Sequence, residues 1–102
     1  MPELGGQGDV KVKKKTKIKK PDMYKVIMLN DDYTTMEFVV EVLMKVFRKD
    51  PHDAQRIMIE IHEKGAGDVG TYTYDIAMSK IQQVHRYARE REFPLKCRIE
   101  KA

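Results

Sequence analysis

The pattern of apolar and polar residues along the chain predicts both strands and helices. Residues 24–29 are apolar apart from one lysine, which is typical of a strand buried on at least one side. Residues 36–48 are apolar at nearly every position outside one i, i+4 stripe, formed by Glu37, Glu41 and Lys45. So broad an apolar face predicts a helix that is buried on more than one side, or that faces both a core and a pocket.

Boundary signals divide the rest of the chain into further elements. Asp50 and Pro51 match the N-cap and first position of a second helix, and Gly65 fits its C-terminal stop. Residues 69–73 predict a short strand. Residues 74–92 predict a third helix that ends before a proline.

The last segment and the start of the first helix complete the prediction. Strict alternation over residues 95–101 predicts a half-buried strand with Leu95, Cys97 and Ile99 facing inward. Thr34 and a glutamate three residues later match a capping box, so we expect Thr34 to cap the first helix. The order β-α-α-β-α-β with short strands favours an α+β fold, a three-stranded antiparallel sheet packed against three helices.

Composition limits the chain to one small domain. It has 102 residues, of which 41% are hydrophobic and 35% charged, values typical of a soluble globular protein. The single cysteine, Cys97, excludes an internal disulfide. No apolar run approaches the ~20 residues of a membrane span, and no secretory signal is visible. We therefore expect a cytoplasmic protein that does not bind membranes.

Charge is distributed unevenly between the N-terminus and the rest of the chain. Residues 1–20 hold seven lysines and two acidic residues, a net charge of +5, whereas the remaining 82 residues sum to −1. We predict a disordered Lys-rich arm at 1–20 and one domain at 21–102. The arm could bind nucleic acid through counterion release, but it has no aromatic or arginine side chains for stacking. A solvated tether is the favoured interpretation; a nucleic-acid or ribosome-associated protein is the alternative.

Three motifs contain residue types that occur in catalytic or ligand sites. The glycines of residues 65–70 match G-x-G-x-x-G, but a helix precedes them and a strand follows, the reverse of a dinucleotide site. Asp31 and Asp32 are adjacent and point apart on an extended chain, which is poor geometry for shared acid–base catalysis. His62 lies at the edge of a helical face with Met58, where an ordinary surface or core role is commoner. No metal-ligand spacing is present, so we expect neither a metal nor a cofactor, and a small metal- or carboxylate-dependent enzyme is the least favoured class of function.

Longer stretches of the sequence carry a family resemblance. MYKVIMLNDDYTTMEFVVEVL, IMIEIHEKG, GTYTYDIAMSKIQQVHRYARE and FPLKCRIEKA together closely resemble the ClpS family. These proteins are adaptors that bring N-degron substrates to a Clp-type AAA+ unfoldase and its protease. The resemblance covers residues 21–102, and family members also carry a flexible N-terminal extension.

The resemblance implies a binding site for the first residue of a substrate, with Leu, Phe, Tyr or Trp as its side chain. An α-ammonium group offers three N–H donors and a positive charge, so it needs several acceptors. The resemblance assigns these to Asn30, Asp31 and His62, whereas Asp32 and Tyr33 are expected to shape the loop. The implied wall of the side-chain pocket consists of Thr34, Met36, Val39, Met58, Ile61 and Leu95.

The resemblance also implies partners. Asp75 and Lys80 match positions that contact the N-terminal domain of a ClpA-type AAA+ unfoldase, which works with the ClpP protease. We expect a monomer whose folded part does not bind nucleic acid. One departure from the family pattern is Thr35, where proline is expected; threonine should leave the binding loop freer.

Overall fold

The computed structural model describes residues 20–102, so the predicted disordered arm lies outside the described residues except for Lys20. Its elements follow the order β-α-α-β-α-β, as the sequence predicts. They are β1 (Met23–Leu29), α1 (Met36–Lys45), α2 (Pro51–Lys64), β2 (Ala66–Thr73), α3 (Tyr74–Glu90) and β3 (Lys96–Lys101).

The three strands form one antiparallel sheet in the order β2-β1-β3, which confirms the predicted topology. The β1–β2 register shifts between Val26, which is opposite Gly70, and Ile27, which is opposite Asp68. Gly70 has φ +153°, and a Cβ there would lie 2.5 Å from the hydroxyl oxygen of Tyr72. Glycine is therefore required at this bulge.

The core lies between one face of the sheet and the helices. Val26 and Met28 point to that face from β1 and are completely buried, as is Val69 of β2. Helices α2 and α3 pack on the sheet, and α1 packs against α2. Leu95 and Cys97 are buried and Ile99 is half-buried against the same core, so the inward-facing alternation of the last strand is confirmed.

The helix boundaries confirm some sequence signals and correct others. Asp50 caps α2, accepting from the backbone N–H of Asp53 at 2.8 Å, and Gly65 ends that helix with φ +87°. The predicted capping role of Thr34 is wrong: the N-cap of α1 is Thr35, whose hydroxyl oxygen accepts from the backbone N–H of Phe38 at 3.1 Å. The hydroxyl of Thr34 is bound to Asp31 within the preceding loop, so the next residue, Thr35, supplies the cap.

Other boundaries differ from the predictions by a few residues. Helix α1 ends at Lys45 rather than near Arg48, because Arg48 adopts φ +58° and the chain turns there. Strand β2 begins at Ala66, before the expected position, since Gly67 pairs directly with Met28. Gly65 and Gly67 have no side chains, so the alternation of apolar and polar side chains does not show where this strand begins.

Edge strand β3 is held against α3 by a backbone-to-histidine hydrogen bond. The backbone N–H of Cys97 donates to Nε2 of His85 at 3.1 Å. Burial, followed by the positive charges of Arg89 and Lys96, lowers the pKa of His85 below its usual value. Burial also raises the pKa of the Cys97 thiol to about 12, so the thiol stays protonated and unreactive at neutral pH.

Acidification should destabilise the fold through His85. Its pKa is lower in the folded state than in the unfolded state, where it is about 6.5. The unfolded state then binds more protons between the two values. The contribution of His85 is therefore complete above about pH 6.5 and is lost as the pH falls through the folded pKa. Urea unfolding between about pH 7.5 and pH 4.5 measures this loss.

His85→Gln is the matched control, because glutamine keeps an acceptor oxygen but does not titrate. Its free energy of unfolding should fall less over the same pH range. Parallel pH profiles for the two proteins would contradict the assignment.

Candidate functional site

The loop between β1 and α1 is organised around the carboxylate of Asp31. Its Oδ1 atom accepts from the backbone N–H groups of Tyr33, at 2.8 Å, and Thr34, at 2.7 Å. Its Oδ2 atom accepts from the hydroxyl of Thr34 at 2.7 Å. Burial by itself would raise the pKa of Asp31, but these hydrogen bonds outweigh burial and lower the pKa below its usual value. Asp31 is therefore a fixed negative charge at neutral pH.

The same loop is attached to the end of α2. The backbone N–H of Asn30 donates to the carbonyl oxygen of Gly65 at 2.9 Å. Gly65 ends α2 in the left-handed conformation, and His62 lies in the last turn of that helix. The loop and the end of α2 are therefore adjacent, which brings Asn30 and His62 to one place although they lie far apart in the sequence.

A cavity of about 220 Å³ opens between this loop, α1 and α2. Its lining residues are Asn30, Asp31, Asp32, Thr34, Met36, Val39, Met58, Ile61 and His62. The apolar side chains of Val39, Met58 and Ile61 are buried, whereas Asn30 and His62 are exposed. The cavity therefore has an apolar interior and polar acceptors near the solvent. It is smaller than the roughly 300–1,000 Å³ of drug-sized pockets, so it suits a single side chain.

The structure brings together most of the residues that the family resemblance assigns to the site. The three assigned acceptors all line the cavity, and so do five of the six assigned wall residues. Leu95 does not: it is buried directly before β3 and lines a different cavity, together with Ala88 near the end of α3. The segment before an edge strand packs on α3, away from the cleft between α1 and α2, which explains the difference.

One residue that lines the cavity had been assigned only to loop shape. Asp32 is exposed and adds a second carboxylate beside Asp31. Its neighbour Tyr33 is 77% exposed and does not line the cavity. The run of two acids was the available signal, but in an extended loop neighbouring side chains diverge, and sequence alone does not say which of them faces the cavity.

The two residues assigned to unfoldase contact lie elsewhere. Asp75 is exposed in the first turn of α3. The ammonium group of Lys80 donates to the carbonyl oxygen of Val46 at 2.8 Å and lies 5.3 Å from the centroid of the Tyr72 ring. Lys80 thus satisfies a carbonyl at the end of α1, in addition to any role at the surface.

The described residues lack the features of a dinucleotide site and of a metal site. Gly65 ends α2, and Gly67 and Gly70 lie within β2. A dinucleotide site needs a strand before the glycines and a helix after them, so its structural context is absent here. Residues 20–102 contain no group of three histidine, cysteine or acidic side chains placed to hold a metal ion. No helix in this part of the chain has the length and apolarity to cross a bilayer.

Comparison with known proteins agrees with this geometry. The family model described as "ATP-dependent Clp protease adaptor protein ClpS" matches residues 19–98. The chain belongs to the ClpS family. The ClpS adapter of Acetivibrio thermocellus is 63% identical over 91 residues, covering 87% of this chain and 92% of that protein. The ClpS adapter of Rhodospirillum centenum is 52% identical over 97 residues, covering 95% and 90%.

A solved ClpS structure has the same fold. Agrobacterium tumefaciens ClpS2 bound to L-phenylalaninamide superimposes with a TM-score of 0.78 at 38% identity, covering 81% of this chain and 100% of that chain. The family resemblance read from the sequence is thereby confirmed, as is the α+β fold. ClpS proteins are adaptors of the Clp protease and are not themselves the protease.

Thr35 stands at the position where the ClpS resemblance implies proline. Its φ of −72° lies within the range that proline imposes, and its hydroxyl supplies the N-cap of α1. Threonine therefore replaces the rigidity of a proline ring with a hydrogen bond. Whether the loop is freer than with proline stays a prediction.

Removal of this cap should destabilise the domain. Thr35→Ala should lower the free energy of unfolding by about 1 kcal/mol, whereas Thr35→Ser, which keeps the hydroxyl, should remain close to the parent protein. Urea denaturation of the three proteins measures both effects. Equal stability of the alanine and serine variants would show that the cap contributes nothing.

Proposed function

We propose that this chain is a non-catalytic adaptor that binds the first residue of substrate proteins and delivers them to a Clp AAA+ unfoldase. Family membership gives the coarser part of this statement, an adaptor of the Clp protease. The observation that supports the finer part is one cavity with hydrogen-bond acceptors at its mouth and an apolar interior. An N-terminal residue with a large apolar side chain has the complementary chemistry.

The free α-amino group binds at the polar mouth. Asn30 offers its side-chain carbonyl oxygen, His62 a ring nitrogen and Asp31 its carboxylate. The carboxylate has about four acceptor sites, and the loop occupies three of them, so one remains for an N–H donor or a bridging water. Asp32 adds negative potential at the same mouth. Hydrogen bonds from a charged donor to such groups are stronger than neutral ones.

The apolar side chain of the substrate occupies the interior, against Val39, Met58 and Ile61. These three residues are buried and lie on the facing sides of α1 and α2. The walls suit Leu, Phe, Tyr and Trp. The ligand of Agrobacterium tumefaciens ClpS2, L-phenylalaninamide, is consistent with this pocket because it combines a free α-amino group with an aromatic side chain.

Delivery works by tethering. The adaptor docks on the N-terminal domain of a ClpA-type unfoldase, which acts with ClpP, and so raises the local concentration of the bound substrate. The exposed carboxylate of Asp75 is available for such a contact. One N–H of the Lys80 ammonium group donates to the carbonyl oxygen of Val46 at the end of α1, and its two other N–H groups are available to a partner.

Fluorescence anisotropy tests the recognition of the α-amino group. Labelled peptides that begin with Leu, Phe, Tyr or Trp should bind, and the same peptides with an acetylated α-amino group should not, because acetylation removes the charge and two donors. Equal binding of free and acetylated peptides would refute the proposed function.

Variants of the acceptors should weaken peptide binding without unfolding the domain. Loss of one hydrogen bond to a charged group costs roughly 1.5–3 kcal/mol, so Asn30→Ala and His62→Ala should each weaken binding about ten- to a hundredfold. His52→Ala is the matched control, since His52 is an exposed histidine at the other end of α2. Unchanged affinity in both folded acceptor variants would exclude their assigned roles.

Met36 should restrict the pocket to unbranched β-carbons. It lines the cavity while remaining 44% exposed, so its side chain stands at the entrance, near the backbone of a bound residue. Met36→Ala should therefore admit peptides that begin with Ile or Val and retain those that begin with Leu. The same anisotropy assay measures this, and continued rejection of Ile and Val would place the restriction elsewhere.

A further inference from the structure

A second cavity, of about 390 Å³, lies between the end of α3 and the segment that enters β3. Its lining residues are His85, Ala88, Arg89, Phe93, Pro94, Leu95 and Lys96. It shares no residue with the first cavity. The proposed recognition of N-terminal residues does not use it.

The apolar part of this cavity is held in a fixed shape. Ala88 and Leu95 are buried, and the ring of Phe93 packs against Phe38 of α1 with 5.0 Å between centroids. The backbone N–H of Phe93 donates to the carbonyl oxygen of Ala88 at 2.8 Å, which ties the segment to the helix end. The apolar surface is therefore already formed and needs little ordering when a ligand binds.

The charged part of the cavity is entirely basic. Arg89 and Lys96 are exposed, and no carboxylate lines the cavity, although Glu90 and Glu92 are neighbours in sequence. Within residues 20–102, neither cation forms a salt bridge. By contrast, the nearby Arg91 binds Glu41 at 3.0 Å.

The field of these two cations reaches the cavity interior. Arg89 and Lys96 both act, after burial, to lower the pKa of His85, which lines the same cavity. Arg89 belongs to α3 and Lys96 to β3, so positive charge approaches the apolar surface from two elements. A ligand with one apolar group between two negative charges complements this arrangement.

We propose that this cavity is a docking site for an acidic segment of a partner protein, with one apolar side chain as its anchor. The anchor packs on Phe93 and Leu95, and flanking carboxylates pair with Arg89 and Lys96. An apolar centre with a polar rim is the usual composition of protein interfaces, and complementary charge at the rim adds specificity. The Lys-rich N-terminal arm of this chain has the wrong charge to occupy the site itself.

The site is separate from the surface assigned to the unfoldase. Arg89 and Asp75 lie near opposite ends of α3, about 21 Å apart at 1.5 Å per residue. An acidic segment at the second cavity therefore does not need to displace a partner at Asp75. The proposal does not depend on the recognition of N-terminal residues.

Nuclear magnetic resonance with the ¹⁵N-labelled full chain tests the proposal. The probe is the peptide DEFDE, acetylated and amidated so that it has no free α-amino group for the first cavity. Its addition should shift the backbone signals of residues 85–97. The peptides DEADE and KKFKK, blocked in the same way, should bind at least tenfold more weakly, because they lack the anchor or the negative charge.

Charge-neutral variants locate the binding. The double variant Arg89→Gln, Lys96→Gln should reduce the affinity for DEFDE at least tenfold, whereas Arg86→Gln, on the same helix but outside the cavity, should not. Absence of shifts, shifts confined to residues 1–20, or equal affinity for DEFDE and DEADE would overturn the proposal. These three outcomes are all measured on the unsubstituted protein, so the test does not depend on the folding of the variants.

Discussion

The carboxylate of Asp31 is the constraint on which the site depends. It accepts three hydrogen bonds from the two residues before the helix cap, which tie the loop to the carboxylate and keep the carboxylate charged. The same loop is fixed to the end of α2 through Asn30 and Gly65. A charge that is already solvated by the backbone can stand beside apolar residues at low cost. This allows a negative group and an apolar cavity to be neighbours.

The hydrogen bonds of the loop also determine how α1 begins. Because the hydroxyl of Thr34 is bound to Asp31, the cap of α1 falls to Thr35. Helix α1 then presents Met36 and Val39 to the cavity, one at the entrance and one inside. At the other end of α1, Lys80 binds the carbonyl oxygen of Val46. Both ends of the helix that forms one wall are thus held by side chains, which preorganises the pocket.

The two cavities of this small α+β domain are lined by side chains of opposite charge. The first collects Asp31 and Asp32 at its mouth and suits a cation with an apolar group. The second collects Arg89 and Lys96 and suits an anion with an apolar group. The core between them is continuous, with Phe38 on Phe93 joining α1 to the segment before β3. The two linings share no residue, so the two proposed ligands would not compete for the same side chains.

Local sequence was sufficient for the order and type of the elements. The periodicity of apolar residues, the Asp50-Pro51 start and the Gly65 stop depend on contacts within a few residues, and all appear in the structure. Two local signals gave a result that differs from the structure: the cap of α1 and the start of β2. The capping box placed the cap at Thr34, but the hydroxyl of Thr34 binds Asp31 and Thr35 caps the helix. Gly67, which has no side chain, concealed the start of β2. A pattern of side chains cannot resolve such cases, because the backbone decides them.

The site itself required the tertiary structure. Periodicity placed His62 at the edge of a helical face and gave it no role, and the family resemblance alone linked it to Asn30. Only the folded chain brings them to one cavity, through a hydrogen bond from Asn30 to the end of α2. The position of Leu95 was decided in the same way, since alternation shows that it faces inward but not which helix it meets. Sequence determines what each residue can contact, and long-range packing decides which of these contacts form.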